Sequence, residues 1–171
     1  FEVEGAYALI GIANDKLIGV RDPLGIRPLV LGKINESYIL ASETCALDII
    51  GAKFIREIKN GEVVVITKDG LESYMPFPKK PERPCIFEYI YFARPDSIVG
   101  GKSIYECRKL FGRELAKESH VDADMVIPVP DSGVPSAIGY AEQAGISFEL
   151  GITRNHYVGR TFIQPKQSIR S

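Results

Sequence analysis

The sequence predicts an α/β protein, α+β overall, built from two parts with different secondary-structure patterns. Up to about residue 77, short apolar stretches alternate with turn residues, which is typical of a β-rich layer. Beyond residue 81, helical patterns alternate with short apolar strands, which is typical of a parallel sheet with crossover helices. The two patterns are separated by four prolines, whose rings cannot continue a helix or occupy a central strand. They are Pro76, Pro78, Pro81 and Pro84. We therefore expect domains at 1–80 and 81–171.

The first part should consist of short strands with one helix. The apolar stretch 6–12 and residues 17–20 flank Asn14-Asp15, so we expect a hairpin. A short helix at 43–50 should end at Gly51, because glycine favours the left-handed conformation that closes a helix. Turn residues and apolar composition predict three further strands, at 28–31, 38–41 and 62–67.

The second part opens with a helix from Ser103 to about His120. Ser103 and Glu106 have the spacing of a capping box, and the helix should pack through its apolar face. The members of that face are Ile104, Cys107, Phe111 and Leu115. After it we expect a buried strand at 124–129, a helix at 134–144 closed by Gly145, and a strand at 146–152.

Composition excludes several classes of protein. The 171 residues carry a net charge of -1, with 45% hydrophobic and 25% charged residues, so no basic excess indicates nucleic-acid binding. No apolar run approaches the roughly 20 residues that cross a bilayer, and no signal peptide opens the chain. We expect a cytoplasmic protein without a membrane partner. Cys45, Cys85 and Cys107 are odd in number and widely spaced, which argues against a disulfide framework.

Residues 154–165 have the composition of a phosphate-binding segment. Arg154 and Arg160 offer planar guanidinium groups that suit phosphate oxygens, and Asn155, Tyr157 and Thr161 add an amide and hydroxyls. Gly159 and Pro165 argue against a continuous helix or central strand. A solvated surface loop would account for the same composition, and the residues alone do not separate the two readings.

A second polar segment, Asp131-Ser132-Gly133, follows the predicted strand 124–129 and precedes the predicted helix 134–144. In an open parallel sheet ligands bind at the carboxyl ends of strands, where the next helix presents free N–H groups. The alternative is that Asp131 or Ser132 only caps the helix.

These segments together resemble the amidophosphoribosyltransferases, also called glutamine phosphoribosylpyrophosphate amidotransferases. The segment 154–165 is similar to their active-site loop, 127–133 to their pyrophosphate loop, and 84–97 to the junction between their glutaminase and transferase domains. Residues 21–29, with Ala41-Ser42-Glu43, resemble the second half of a class II glutaminase domain, a block that asparagine synthetases also carry. The resemblance runs from end to end in the family's order.

The resemblance implies a fold and a reaction. The fold would be the C-terminal half of an N-terminal-nucleophile glutaminase layer followed by the first half of a type I phosphoribosyltransferase sheet. The parent enzyme would form phosphoribosylamine, pyrophosphate and glutamate from phosphoribosyl pyrophosphate and glutamine, the first step of de novo purine synthesis. The family's N-terminal cysteine and C-terminal phosphoribosyl-pyrophosphate fingerprint have no match here, so we expect an internal piece that is inactive alone. The alternative is a catalytically silent phosphate-binding or regulatory module.

The resemblance also implies site residues. Asp131, Ser132 and Gly133 would hold the pyrophosphate, with Ser132 near a Mg²⁺ ion. Arg154 and Arg160 would close over the leaving group as catalytic residues. The remaining substrate-binding positions would be Asn155, Tyr157 and Thr161. His156 stands where the family's motif has arginine.

Further implications concern partners and a cluster. Cys85 matches a ligand of the 4Fe–4S cluster that some members carry, whose other ligands lie elsewhere. Ammonia derived from glutamine, feedback purine nucleotides and a homo-oligomeric assembly are expected for the intact enzyme. The aromatic residues Tyr89, Tyr91 and Phe92 would form a strand packed into the core, or line an ammonia conduit. Arg21, Asp22 and Arg27 should form a structural ion-pair and turn network.

Overall fold

A computed structural model describes residues 3–157, which divide after Arg108 into two compact units, 3–108 and 109–157. The proline-rich segment 76–84 lies within the first unit. The domain ranges 1–80 and 81–171 stay a prediction. In chain order the elements of the first unit are β1 (Ala8–Ala13), β2 (Lys16–Arg21), β3 (Val30–Ile34), β4 (Ser37–Ala41), α1 (Thr44–Ile49), β5 (Lys53–Glu57), β6 (Val63–Thr67), β7 (Gly70–Tyr74), a five-residue π-helix (Glu88–Phe92), β8 (Ile98–Val99) and β9 (Lys102–Ser103).

Two antiparallel sheets and one helix make up most of the first unit. One sheet has the order β1-β2-β6-β7 and the other the order β4-β3-β5. The predicted hairpin 6–20 is confirmed, with Ala13 paired to Lys16 across Asn14-Asp15. Asn14 has a φ of 51°, a left-handed conformation that asparagine adopts more easily than most residues. A second hairpin joins β3 to β4 through Asn35, which has the same φ of 51°.

The central strand β3 is buried on both faces. Leu29 and Leu31 pack with Ile58 and Val64, between the two sheets. Val30 points the opposite way and packs with Leu47 of α1. This strand therefore joins two hydrophobic clusters, and it places the sheets and the helix in three successive layers.

The prediction missed β5 and β7, and it assigned the wrong structure to residues 89–92. Both missed strands lie at the edge of their sheets and include charged residues, which hide the apolar signal. The predicted aromatic strand is a π-helix, in which Tyr91 and Phe92 are exposed. Of the three aromatic residues, Tyr89 packs inward, against Ala93, Val99 and Ile104.

The buried carboxylate of Glu62 organises the turn before β6. It accepts hydrogen bonds from Arg56 at 2.7 and 2.8 Å, from Ser73 Oγ at 2.6 Å, and from the backbone N–H of Lys59 at 2.6 Å. Burial acts to raise the pKa of Glu62, but the hydrogen bonds and the charge of Arg56 outweigh it and lower that pKa to about 2.

Helix α2 (Ile104–Glu118) continues into the second unit, which also holds β10 (Met125–Val126), α3 (Val134–Ala144) and β11 (Ser147–Phe148). The bounds of α3 are those predicted, and Gly145 closes it with a φ of 71°. Strands β10 and β11 are parallel, as predicted, and α3 connects them. The strands are only two residues long, and the expected burial of 124–129 is wrong, since Met125 and Val129 are exposed.

The buried face of α2 differs from the predicted one. Phe111 and Leu115 are about half exposed, whereas Arg108, Gly112 and Ala116 are buried at four-residue intervals after Ile104. The reason is a close backbone approach between α2 and α3. A Cβ on Gly112 would lie 1.9 Å from Ser136 O, and one on Gly139 would lie 2.0 Å from Lys109 O. The two glycines therefore set the separation of these helices.

In the part of the chain that the structure describes, no helix combines the length and apolar character needed to cross a bilayer.

We predict that Gly112→Ala lowers the free energy of unfolding by about 2 kcal/mol or more, because the added methyl group collides with a backbone carbonyl that cannot rotate away. Urea unfolding followed by circular dichroism measures the change. Gly11→Ala is the matched control, since a Cβ on Gly11 would meet nothing within 4 Å. Equal stability of the two variants would contradict the close helix approach.

We predict that Glu62 makes stability dependent on acid pH. Because the pKa of Glu62 in the folded chain, about 2, lies below its ordinary 4.5, its contribution is fully present above about pH 4.5 and is lost as pH falls toward 2. The shift corresponds to about 3 kcal/mol. Unfolding measured from pH 7 to pH 2 should show a steeper loss for the wild type than for Glu62→Gln. The exposed Glu36→Gln should retain the wild-type slope.

Candidate functional site

The loop from β10 to α3 forms the amino-terminal end of α3. Gly133 is the residue that caps the helix, and its N–H donates to Val129 O at 3.2 Å. A Cβ on Gly133 would lie 2.7 Å from that same oxygen, so only glycine allows this tight turn. No side-chain hydrogen bond caps α3. Among the described residues, neither Asp131 nor Ser132 therefore caps the helix with its side chain, which was the alternative to an anion site.

The two polar segments singled out from the sequence meet in the second unit. Arg154 Nη1 lies 3.1 Å from Asp131 Oδ2, and both side chains are more than half exposed. The backbone N–H of Tyr157 donates to Asn155 Oδ1 at 2.9 Å, which forms a local turn after Arg154. The side chain of Tyr157 is fully exposed. Arg160 and Thr161 lie outside the described residues.

The arrangement can exchange partners at low cost. An exposed ion pair contributes only about 0–1 kcal/mol, so Arg154 can leave Asp131 for a stronger anion such as a phosphate. Its departure would free the Asp131 carboxylate for a cation. The site therefore combines a helix terminus with an exposed guanidinium and an exposed carboxylate that pair with each other.

In the first unit, Arg21 and Asp22 hold a turn, as expected. The fully buried Asp22 carboxylate accepts the backbone N–H groups of Leu24 and Ile26 at 2.9 and 3.0 Å. Arg21 donates to Gly25 O, to Arg27 O and to Ile58 O. Arg21 also lies 3.6 Å from Glu57 Oε2, so Arg21 and Asp22 form the ion-pair and turn network that the sequence predicts.

Arg27 connects that turn to the π-helix. Its Nη1 lies 2.7 Å from Glu88 Oε1, and its guanidinium lies 5.0 Å from the centre of the Phe92 ring. Glu88 is buried, and desolvation raises its pKa, although the charge of Arg27 opposes that rise. The contact is ionic, since no hydrogen bond reaches Glu88 Oε1 in the described chain.

Cys85 precedes the π-helix and is a half-buried free thiol. Its N–H donates to Ile26 O at 3.1 Å, and its carbonyl accepts from the N–H of Glu88. Within residues 3–157, no three His, Cys, Asp or Glu side chains lie close enough together to form a metal site. A 4Fe–4S cluster needs four thiolates, so Cys85 could supply only one of them.

Sequence reasoning missed a group of side chains that bind the segment 94–100. Glu43 accepts from the N–H of Arg94, Thr44 from that of Ile98, and Glu57 from that of Gly100. The only local signal was the polar pair Glu43-Thr44, shortly after a predicted strand. It does not reveal that their hydrogen-bond donors lie about 50 residues away in the sequence.

Comparison with known proteins shows which proteins the sequence is similar to. No protein family model matches the chain. The chain is 58% identical to the amidophosphoribosyltransferase of Rhizobium etli over 99% of its own length and 35% of that protein. It is 54% identical to the chloroplastic amidophosphoribosyltransferase 1 of Arabidopsis thaliana, over 99% of this chain and 30% of that one.

The chain belongs to the amidophosphoribosyltransferase family. The solved structure of the B. subtilis glutamine phosphoribosylpyrophosphate amidotransferase, complexed with ADP and GMP, matches with a TM-score of 0.89 and 47% identity, over 98% of this chain and 37% of that one. A structure described as the allosteric regulatory enzyme of purine biosynthesis matches with a TM-score of 0.87 and 48% identity, over 97% of this chain and 36% of that one.

These matches confirm the resemblance predicted from the motifs. The chain spans about a third of the length of the amidophosphoribosyltransferases it matches. The mixed α/β class is also confirmed, since the two similar structures share the fold over nearly the whole chain.

Proposed function

We propose that this chain is part of an enzyme that makes phosphoribosylamine, pyrophosphate and glutamate from phosphoribosyl pyrophosphate and glutamine. The observation that carries the proposal is the contact between Arg154 and Asp131, which brings the two predicted phosphate-binding segments to one helix terminus. Residues 1–80 would belong to an N-terminal-nucleophile glutaminase layer. The unit with parallel β10 and β11 would belong to a type I phosphoribosyltransferase sheet.

In this proposal the loop 131–133 binds the pyrophosphate group of the substrate. The N-terminal end of α3 provides a partial positive charge, which suits an anion. Ser132 would add a hydroxyl, and the tight turn at Gly133 allows phosphate oxygens to approach the backbone. Ammonia would displace pyrophosphate from the anomeric carbon, so the protein must stabilise charge on the leaving group.

Mg²⁺ fits the donors of this loop. Carboxylate and hydroxyl oxygens are the hard ligands that Mg²⁺ prefers, and Asp131 and Ser132 supply one of each. Asp131 would repel a polyphosphate unless a cation intervened. When bound, Mg²⁺ would neutralise charge on the diphosphate. Arg154 would exchange its contact with Asp131 for the phosphate oxygens.

The residues after Arg154 would complete the cover over the substrate. Asn155, Tyr157 and Thr161 are the proposed substrate-binding positions, and Arg160 the second catalytic guanidinium. Closure would exclude water, which otherwise hydrolyses the activated sugar. His156, in place of the family's arginine, would leave the cover less positive.

The similarity to a structure complexed with ADP and GMP supports purine nucleotides as feedback ligands of the intact enzyme. We also propose a cytoplasmic homo-oligomer, by analogy with the family. A catalytically silent module would bind the same anions without turnover, so product formation separates the two functions.

We predict that Asp131→Asn in the full-length enzyme raises the KM for phosphoribosyl pyrophosphate about tenfold and raises the Mg²⁺ concentration required, because a charged ligand of the metal is lost. Phosphoribosylamine formation from ammonium ions measures both. Asp124→Asn is the matched control, since Asp124 is exposed at the amino end of β10, away from the loop. Equal effects of the two variants would count against the loop.

We predict that Cys85→Ser abolishes iron–sulfur absorbance in the full-length enzyme purified without oxygen, because serine does not replace a thiolate ligand of iron. Visible absorbance and iron content measure the change. Cys107→Ser controls for the loss of a free thiol. A visible spectrum that Cys85→Ser leaves unaltered would remove Cys85 from the ligand set.

A further inference from the structure

A set of buried and half-buried acceptors fixes residues 94–100, whose strand pairing among the described residues is limited to the two-residue pairing of β8 with β9. Three donors converge on one oxygen, Glu43 Oε2. They are Arg94 N at 2.7 Å, Ser97 Oγ at 2.8 Å and Cys45 Sγ at 3.7 Å. Ser97 is buried, so the oxygen supplies a partner that water could not easily replace.

Two further side chains accept hydrogen bonds from the same segment, residues 94–100. Thr44 Oγ1 accepts from Ile98 N at 2.8 Å, and Glu57 Oε1 accepts from Gly100 N at 2.7 Å. Each bond joins residues more than 40 positions apart in the chain. We call Glu43, Thr44 and Glu57 the junction anchor, since all three accept hydrogen bonds from backbone N–H groups of residues 94–100.

The segment after residue 84 is bound at two other places in the first unit. Cys85 N donates to Ile26 O, within the turn that Asp22 organises. The fully buried Arg108, in the second turn of α2, donates to Tyr89 O at 2.8 Å and to Ala93 O at 2.7 Å. Hydrogen bonds from Cys85 and from residues 94–100 therefore attach this segment to the β-rich layer, and Arg108 ties the π-helix to α2, so residues 85–108 are not a free linker.

We propose that Glu43 is a positioning residue that couples the two half-reactions of the enzyme. This inference rests on the proposed function. Glu43 follows β4 in the layer assigned to glutamine hydrolysis, and the residues that it holds lead directly into α2. Release of residues 94–98 from Glu43 would leave both reaction sites intact while ammonia from one no longer reaches the other efficiently.

The test compares three rates in the full-length enzyme: glutamate release from glutamine, phosphoribosylamine formation from ammonium ions, and phosphoribosylamine formation from glutamine. We expect Glu43→Ala to lower only the third rate, by about tenfold, which corresponds to the loss of an acceptor for buried donors. The two other rates should change less than about twofold.

Two further variants separate positioning from a merely structural role. Glu43→Gln keeps an oxygen acceptor at the same place and should restore the glutamine-dependent rate to within about threefold of the wild type. Thr44→Val removes only the acceptor of Ile98 N, so it should lower that rate selectively even if Glu43→Ala does not fold. Glu36→Ala, at an exposed turn, should match the wild type.

Three results would overturn the inference. They are a parallel loss of all three rates in Glu43→Ala and Thr44→Val, the absence of a selective loss in either variant, and a failure of Glu43→Gln to restore the glutamine-dependent rate. The proposed function fails separately: a wild-type enzyme that forms no phosphoribosylamine from ammonium ions refutes it, and the inference falls with it.

Discussion

The irregular parts of the first unit depend on buried or half-buried carboxylates that accept backbone N–H groups. Asp22 holds the turn that follows β2, Glu62 the turn that precedes β6, and Glu43 the segment near residue 94. A buried donor without a partner costs about 1–3 kcal/mol, and each carboxylate accepts hydrogen bonds from at least two donors. Removing any one of them would leave a set of donors unsatisfied, which is why these positions matter more than exposed ion pairs.

In the second unit the equivalent constraint is a distance between backbones. Gly112 and Gly139 allow α2 and α3 to approach so closely that a methyl group on either would overlap a carbonyl oxygen. This contact fixes the start of α3 relative to α2, and the loop 131–133 lies at that start. The position of the proposed anion site therefore depends on two residues that have no side chain.

Several local features were predictable because residues close in sequence decide them. The first hairpin follows from Asn14-Asp15, and the end of α3 from Gly145. The loop 131–133 was found because polar residues between a strand and a helix suit an anion. The buried face of α2 was predicted wrongly, because close packing at Gly112 outweighs the apolar character of Phe111 and Leu115. The π-helix was predicted to be a strand, because its aromatic residues are compatible with either structure.

The sequence by itself determined the short-range structure and the family, since turns, caps and motifs depend on neighbouring residues. Only the tertiary structure decided which distant groups meet. Glu43 finds the N–H of Arg94 across 51 positions, and Arg154 finds Asp131 across 23. A carboxylate in a sequence carries no mark of its partner, because the partner is set by how strands and helices pack.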